Sequence, residues 1–142
     1  MILVDANILI YASTPCPWHD KAAAWLDHQI TEGPRVGLPW ECLTAFLRIV
    51  TNPRVYSGKA VSVETAWERI EAWLACPTVW VPVPTERHAA SLKRVLGTAS
   101  RGGNLIPDAQ IAALAIEHGL TLCTSDAGFA RFPGLKRMNP LA

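Results

Sequence analysis

The chain has 142 residues, half of them hydrophobic, with a formal net charge of +1. That length suits one domain with a buried core, and the composition excludes intrinsic disorder. No apolar run approaches the ~18 residues of a membrane span, and near-neutrality excludes a uniformly basic nucleic-acid coat while leaving a local patch open.

The N-terminal run MILVDANILIYA has no basic leader and is interrupted by Asp5, so it does not read as a secretory signal. Within it, Ile2 to Val4 shows no polar alternation and predicts a central strand. Ala6 to Tyr11 is too apolar for an exposed loop and predicts a short buried helical turn. Trp18, Ala22, Trp25, Leu26 and Ile30 recur at helical spacing, which predicts a helix with these residues inward, closed by Gly33 and Pro34. Val36 to Leu38 predicts a second strand. Pro39 then starts a helix with Glu41 in its first turn and Leu43, Phe46, Leu47 and Val50 as its buried stripe.

Ser62 is placed to cap the next helix, with Ala66, Ile70, Trp73 and Leu74 inward. Thr78 to Val83 is rich in β-branched and aromatic residues and predicts a third strand, which Pro82 assigns to a sheet edge. Thr85 is expected to cap a helix carrying Ala89, Leu92, Val95 and Leu96. After the loop TASRGGN, Pro107 and Asp108 mark the start of an alanine-rich helix that Gly119 breaks. Leu120 to Cys123 predicts a fourth strand, Ala127 to Phe132 a helical turn and Leu135 to Met138 a last strand. This alternation predicts a single α/β domain over residues 1–142, a central, mostly parallel sheet flanked by helices in an α/β/α sandwich.

Cys16, Cys42, Cys76 and Cys123 form no CxxC pair, which suits reduced thiols and a cytoplasmic location better than disulfides or a zinc site. His19, His28, His88 and His118 are equally dispersed and are expected to be structural or solvated.

The acids are placed more pointedly. Asp5 follows the first strand, Glu41 opens the helix after the second, and Asp126 follows the strand Leu120 to Cys123. In a parallel sheet the carboxyl ends of strands and the N-termini of the following helices share the edge where ligands bind. Asp108, at the start of the helix feeding that strand, needs the Arg101–Asn104 loop to bring it across. Singly, Asp108 and Glu41 read as partners of a helix dipole and Asp126 as a turn residue. Asp5 resists such a reading, because a carboxylate inside an apolar run is costly unless compensated. Together, acids in one cleft raise one another's pKa unless a cation neutralises them. Oxygen ligands without His or Cys suit Mg²⁺ or Mn²⁺, which points to metal-dependent phosphoryl chemistry.

These residues, in this order, resemble the PIN-domain family and, more narrowly, the VapC toxins of bacterial toxin–antitoxin pairs. The resemblance rests on DANILIYA, on Glu41 in WECLTAFLRIVTNPRVY, on NLIPDAQIAALA and on TSDAGF, across nearly the whole chain. It implies a PIN-like fold and a Mg²⁺-dependent endoribonuclease, with Mn²⁺ also supporting cleavage of RNA phosphodiesters by a metal-activated water. Asp5, Glu41, Asp108 and Asp126 match the catalytic acids. Of these, Asp5, Asp108 and Asp126 are the implied metal ligands, and Glu41 completes the site and assists the water. Asn7 and Thr124 match positions that orient a ligand carboxylate. The implied partners are RNA, a VapB-type antitoxin lying in a groove near the site, and a second copy in a homodimer, with no membrane.

For the RNA path, Arg101 and Arg48 are the leading phosphate contacts, with Arg54, Lys93 and Arg94 behind them. Trp40 and Trp67 are not needed by the core stripes and are expected at an interface near the antitoxin groove. A solitary PIN nuclease without an antitoxin is the nearest alternative. An aspartyl-nucleophile phosphatase would need an acid where Asn7 stands. A non-catalytic receiver-like module would need a late-strand Lys better placed than Lys136.

Overall fold

The computed structural model describes residues 1–56, 58–97, 103 and 105–142. Its elements run β1 (Ile2–Val4), α1 (Ala6–Ser13), α2 (His19–Glu32), β2 (Val36–Gly37), α3 (Trp40–Val50), α4 (Val63–Leu74), β3 (Val79–Trp80), α5 (His88–Leu96), α6 (Leu105–Glu117), β4 (Thr121–Cys123), a 3-10 turn (Ala127–Arg131) and β5 (Arg137–Met138). The strands form one parallel sheet in the order β3-β2-β1-β4-β5. The uninterrupted apolar strand is therefore the middle one, and the strand followed by Pro82 lies at an edge, as expected. Gly37 permits that edge to close: a Cβ there would stand 2.8 Å from Pro82 Cγ.

The order of connection decides where a site can form. The chain steps outward from β1 through β2 to β3, then returns across the sheet to β4 and β5. Right-handed crossovers in opposite directions put helices on opposite faces. Accordingly α1 packs on α2 and α3, with α3 on α4, while α5 packs on α6. Leu3, Val4 and Leu122 in the middle strands are 0% exposed, so both faces are covered. The reversal between β1 and β4 is the switch point at which open α/β sheets bind ligands. Register then fixes the geometry, since Leu3 pairs with Leu122 and Val4 with Cys123. The next residues, Asp5 and Thr124, leave the sheet side by side.

Several local expectations shift. The stretch after Asp5 is a full helix rather than a turn, because its residues are apolar on nearly all sides and α2 and α3 both pack on it. α6 begins at Leu105, so Pro107 occupies its first turn, where the missing N–H has no helical acceptor to lose. Trp18 is not inward: it is 49% exposed and packs its ring on Tyr11, centroids 5.2 Å apart. It stands at the N-cap of α2, before helical phase applies. Thr85 does not cap α5, whose N-cap is Arg87. Its hydroxyl instead accepts from the Arg87 N–H and donates to the buried Glu117. Ser62 caps α4 as expected, accepting from the Thr65 N–H at 3.1 Å. Among the described residues, no helix is long and apolar enough to cross a membrane.

Candidate active site

Asp5 is the N-cap of α1 and is 7% exposed. Its Oδ1 accepts from the Ala6 N–H at 2.8 Å, and its Oδ2 from the Thr124 hydroxyl at 2.7 Å. The Thr124 oxygen in turn accepts from Asn7 Nδ2 at 3.1 Å and from the Asp126 N–H at 3.0 Å. Asn7 Oδ1 accepts from the Ser125 N–H at 3.4 Å. One hydroxyl thus joins the ends of β1 and β4, orients Asp5 and sets the start of the turn carrying Asp126. Asp126 itself caps the 3-10 turn, accepting from the Gly128 N–H at 2.8 Å.

An open cleft of roughly 610 Å³ adjoins this network, walled by Asp5 and Asn7, by Glu41 and Arg48 from α3, and by Asp108 from α6. Asp126 is exposed and is not part of the cleft wall, yet its charge is felt within it. Burial pushes the Asp5 carboxyl above its ordinary value; the bonds from Thr124 and Ala6 draw it back in part, and Asp126 raises it further. Burial also raises Asp108, Asp126 and Asp5 add to the rise, and Arg131 opposes it. Cys42, buried beneath, has its thiol driven well up by burial and then by the charges of Asp5 and Glu41. Glu41 Oε2 is buried and without a hydrogen-bond partner in the described structure.

The model of the family described as "PIN domain" matches residues 2–135. The chain belongs to the PIN-domain family. Within it, this PIN domain is 38% identical to ribonuclease VapC37 of Mycobacterium tuberculosis, the match covering 100% of this chain and 99% of that protein. It is also 38% identical to ribonuclease VapC33 of the same species, covering 99% of both. These matches place it among the VapC proteins. Among solved structures it resembles FitAcB from Neisseria gonorrhoeae, with a TM-score of 0.71, 26% identity and coverage of 99% and 98%. VapBC2 from Rickettsia felis, bound to a promoter DNA fragment, gives a TM-score of 0.70 at 20% identity over 98% of both chains, a likeness of fold.

The PIN domain's donor set fits a hard divalent cation in its chemistry: oxygen donors only, two carboxyls raised by burial and mutual repulsion, and one buried carboxylate oxygen unpartnered. It is not a closed cage. Among the described residues, no three His, Cys, Asp or Glu side chains stand close enough together to hold an ion as placed. Of the basic residues expected on the RNA path, Arg48 lines the cleft. Arg54 and Lys93 are exposed elsewhere, Arg94 walls a different small cavity with Glu117, and Arg101 lies outside the described residues. Trp40 and Trp67 are each 40% exposed and stack on one another at 6.2 Å. Sequence reasoning passed over Arg131, five residues after Asp126, where a basic residue ending a short turn reads as ordinary.

Proposed function

We propose that this chain is the ribonuclease toxin of a VapBC-type pair, acting in the cytoplasm as a Mg²⁺-dependent endoribonuclease that also accepts Mn²⁺. The observation that carries the reading is the gathering of Asp5, Asp108 and Asp126 at the β1/β4 switch point, where burial first and neighbouring carboxylates second raise Asp5 and Asp108, and where among the described residues none of the three sits in an ion pair. The names of the VapC relatives and the VapBC neighbours support the toxin assignment. Four free thiols suit a reducing compartment.

In this reading Asp5, Asp108 and Asp126 hold the cation, and Glu41, with its unpartnered oxygen, aligns the attacking water and accepts its proton. When bound, the cation supplies positive charge for the scissile phosphate and lowers the pKa of water. Thr124, steadied by Asn7, donates to the Asp5 carboxylate and accepts from the Asp126 backbone N–H, so it directs the first acid and positions the turn that carries the second. Arg48 meets RNA phosphate from the α3 wall. The exposed Trp40–Trp67 stack is assigned to the antitoxin contact, since aromatic pairs left out of the core are favoured at interfaces. A homodimer is the expected assembly.

Cleavage of total RNA with Mg²⁺ or Mn²⁺ tests the reading, comparing wild type with Asp5→Asn and mapping the cut ends. Loss of cleavage in the variant and on EDTA addition is expected. Equal cleavage by the two proteins, or indifference to EDTA, would defeat it.

A further inference from the structure

The acid cluster has a cationic neighbour that no role above uses. Arg131 closes the 3-10 turn whose N-cap is Asp126. Its Nε donates to the Gly128 carbonyl at 2.9 Å, so the guanidinium is tethered through one N–H, and among the described residues its terminal nitrogens make no ion pair. Gly128 separates it from the acid: a Cβ built there would lie 3.0 Å from Asp126 Oδ1 and 3.4 Å from Arg131 Nη2. The carboxylate and the guanidinium therefore crowd the same point from two sides, and a side chain at Gly128 would press on the acid. The turn is anchored beneath by Phe129 and Phe132, 1% and 3% exposed and packed edge to face at 6.0 Å.

A guanidinium whose task is to neutralise an acid sits in an ion pair with it. Arg131 does not: among the described residues it makes no carboxylate contact within salt-bridge distance, although Asp126 is close by and its charge reaches Asp108. It is exposed, and like Asp126 it stands outside the cleft wall. A phosphodiester approaching several carboxylates is repelled unless cations receive it, and a planar fork of N–H donors matches its non-bridging oxygens. Arg48 lines the neighbouring cleft from α3, beside Asp5, Glu41 and Asp108.

We propose that Arg131 is a substrate-binding residue, holding a non-bridging oxygen of the RNA phosphodiester beside Asp126 while the Gly128 carbonyl fixes the guanidinium; this rests on the nuclease reading. Arg48 and Arg131 then grip the backbone from two separate elements.

The test uses a short fluorescein-labelled single-stranded RNA bound to the full chain carrying Asp5→Asn, followed by anisotropy across a salt series. Adding Arg131→Ala is expected to weaken binding about tenfold and to flatten the slope of log affinity against log salt by about 0.7, the loss of one single-strand phosphate contact. Arg131→Lys keeps the charge but not the fork, so it restores the slope while affinity stays reduced. A purely structural Arg131 would lower the melting temperature in Arg131→Ala and leave the salt slope where it was; that result overturns the inference. Cleavage of the same RNA by wild type and by Asp5→Asn separates the two readings. Wild-type cleavage with an unchanged slope in Arg131→Ala sinks this inference alone, and no wild-type cleavage sinks both.

Discussion

Thr124→Val removes a hydroxyl and little else, which makes it the sharpest probe of how the acid cluster is held. The hydroxyl is 2.7 Å from Asp5 Oδ2 and accepts from Asn7 and from the Asp126 N–H. A hydrogen bond to a charged group contributes about 1.5–3 kcal/mol, and neutral ones about 0.5–1.5 each. Asp126 is exposed and Asn7 half-buried, so water recovers part of the latter two. The expected loss of stability at neutral pH is about 2–4 kcal/mol, dominated by Asp5. The pH dependence carries the diagnosis. Asp5 is raised in the folded state, so it binds protons more tightly there than in the unfolded chain, and it subtracts stability as pH rises from the ordinary carboxyl value through its folded one. Thr124 supplies the leading downward pull on that value, so removing the hydroxyl raises Asp5 further. The difference between variant and wild type must therefore grow from about pH 4 to about pH 7. Urea unfolding at both ends of that range measures it, with Thr124→Ser, which keeps the hydroxyl, as the control. A difference that is flat with pH, or larger in acid, refutes the electrostatic role of Thr124. Cleavage should fall about 10–100-fold in the Val variant, the usual cost of losing a group that orients a metal ligand.

Other outcomes follow from the same geometry. Asp108→Asn removes one of the mutually repelling charges, so a thermal melt without metal should show an unchanged or raised melting temperature while cleavage is lost. Mn²⁺ binding to wild type, followed by calorimetry, should release protons and weaken as pH falls through the raised values of Asp5 and Asp108, because both must be ionised to serve as ligands. Gly37→Ala places a methyl 2.8 Å from Pro82 Cγ and 3.2 Å from the Ile2 carbonyl. It should cost about 1–3 kcal/mol in a denaturant titration without changing the salt dependence of RNA binding.

Much of this was legible in the chain because burial writes itself into composition. A strand covered on both faces cannot alternate, so Ile2–Val4 announced its central place, and Pro82 announced an edge by lacking a donor. Asp5 stood out for the same reason: a charge in an apolar run needs a local explanation. What periodicity did not carry was phase at element ends. Trp18 fits the inward stripe by spacing yet precedes the helix, and Thr85 looks like a cap yet closes a turn two residues earlier while bonding Glu117 across to α6. Arg131 escaped because its significance lies in Gly128 having no side chain and in Asp126 lying on the other side of it, a relation with no signature in residue type.

The cluster is an instance of structure working against its own electrostatics. The fold brings Asp5, Asp108 and Asp126 together from separate segments; burial raises Asp5 and Asp108, and the neighbouring carboxylates add to the rise. An ion pair would relieve that repulsion, and Arg131 is a nearby cation whose charge already opposes the rise at Asp108. Instead its Nε is tied to a carbonyl, and Thr124, a neutral group, does the restraining. A neutral restraint orients the acids without discharging them, so the negative potential stays available to an incoming cation. That division of labour is why loss of Thr124 is expected to damage orientation and stability together, whereas loss of Arg131 should be read in the salt dependence of RNA binding.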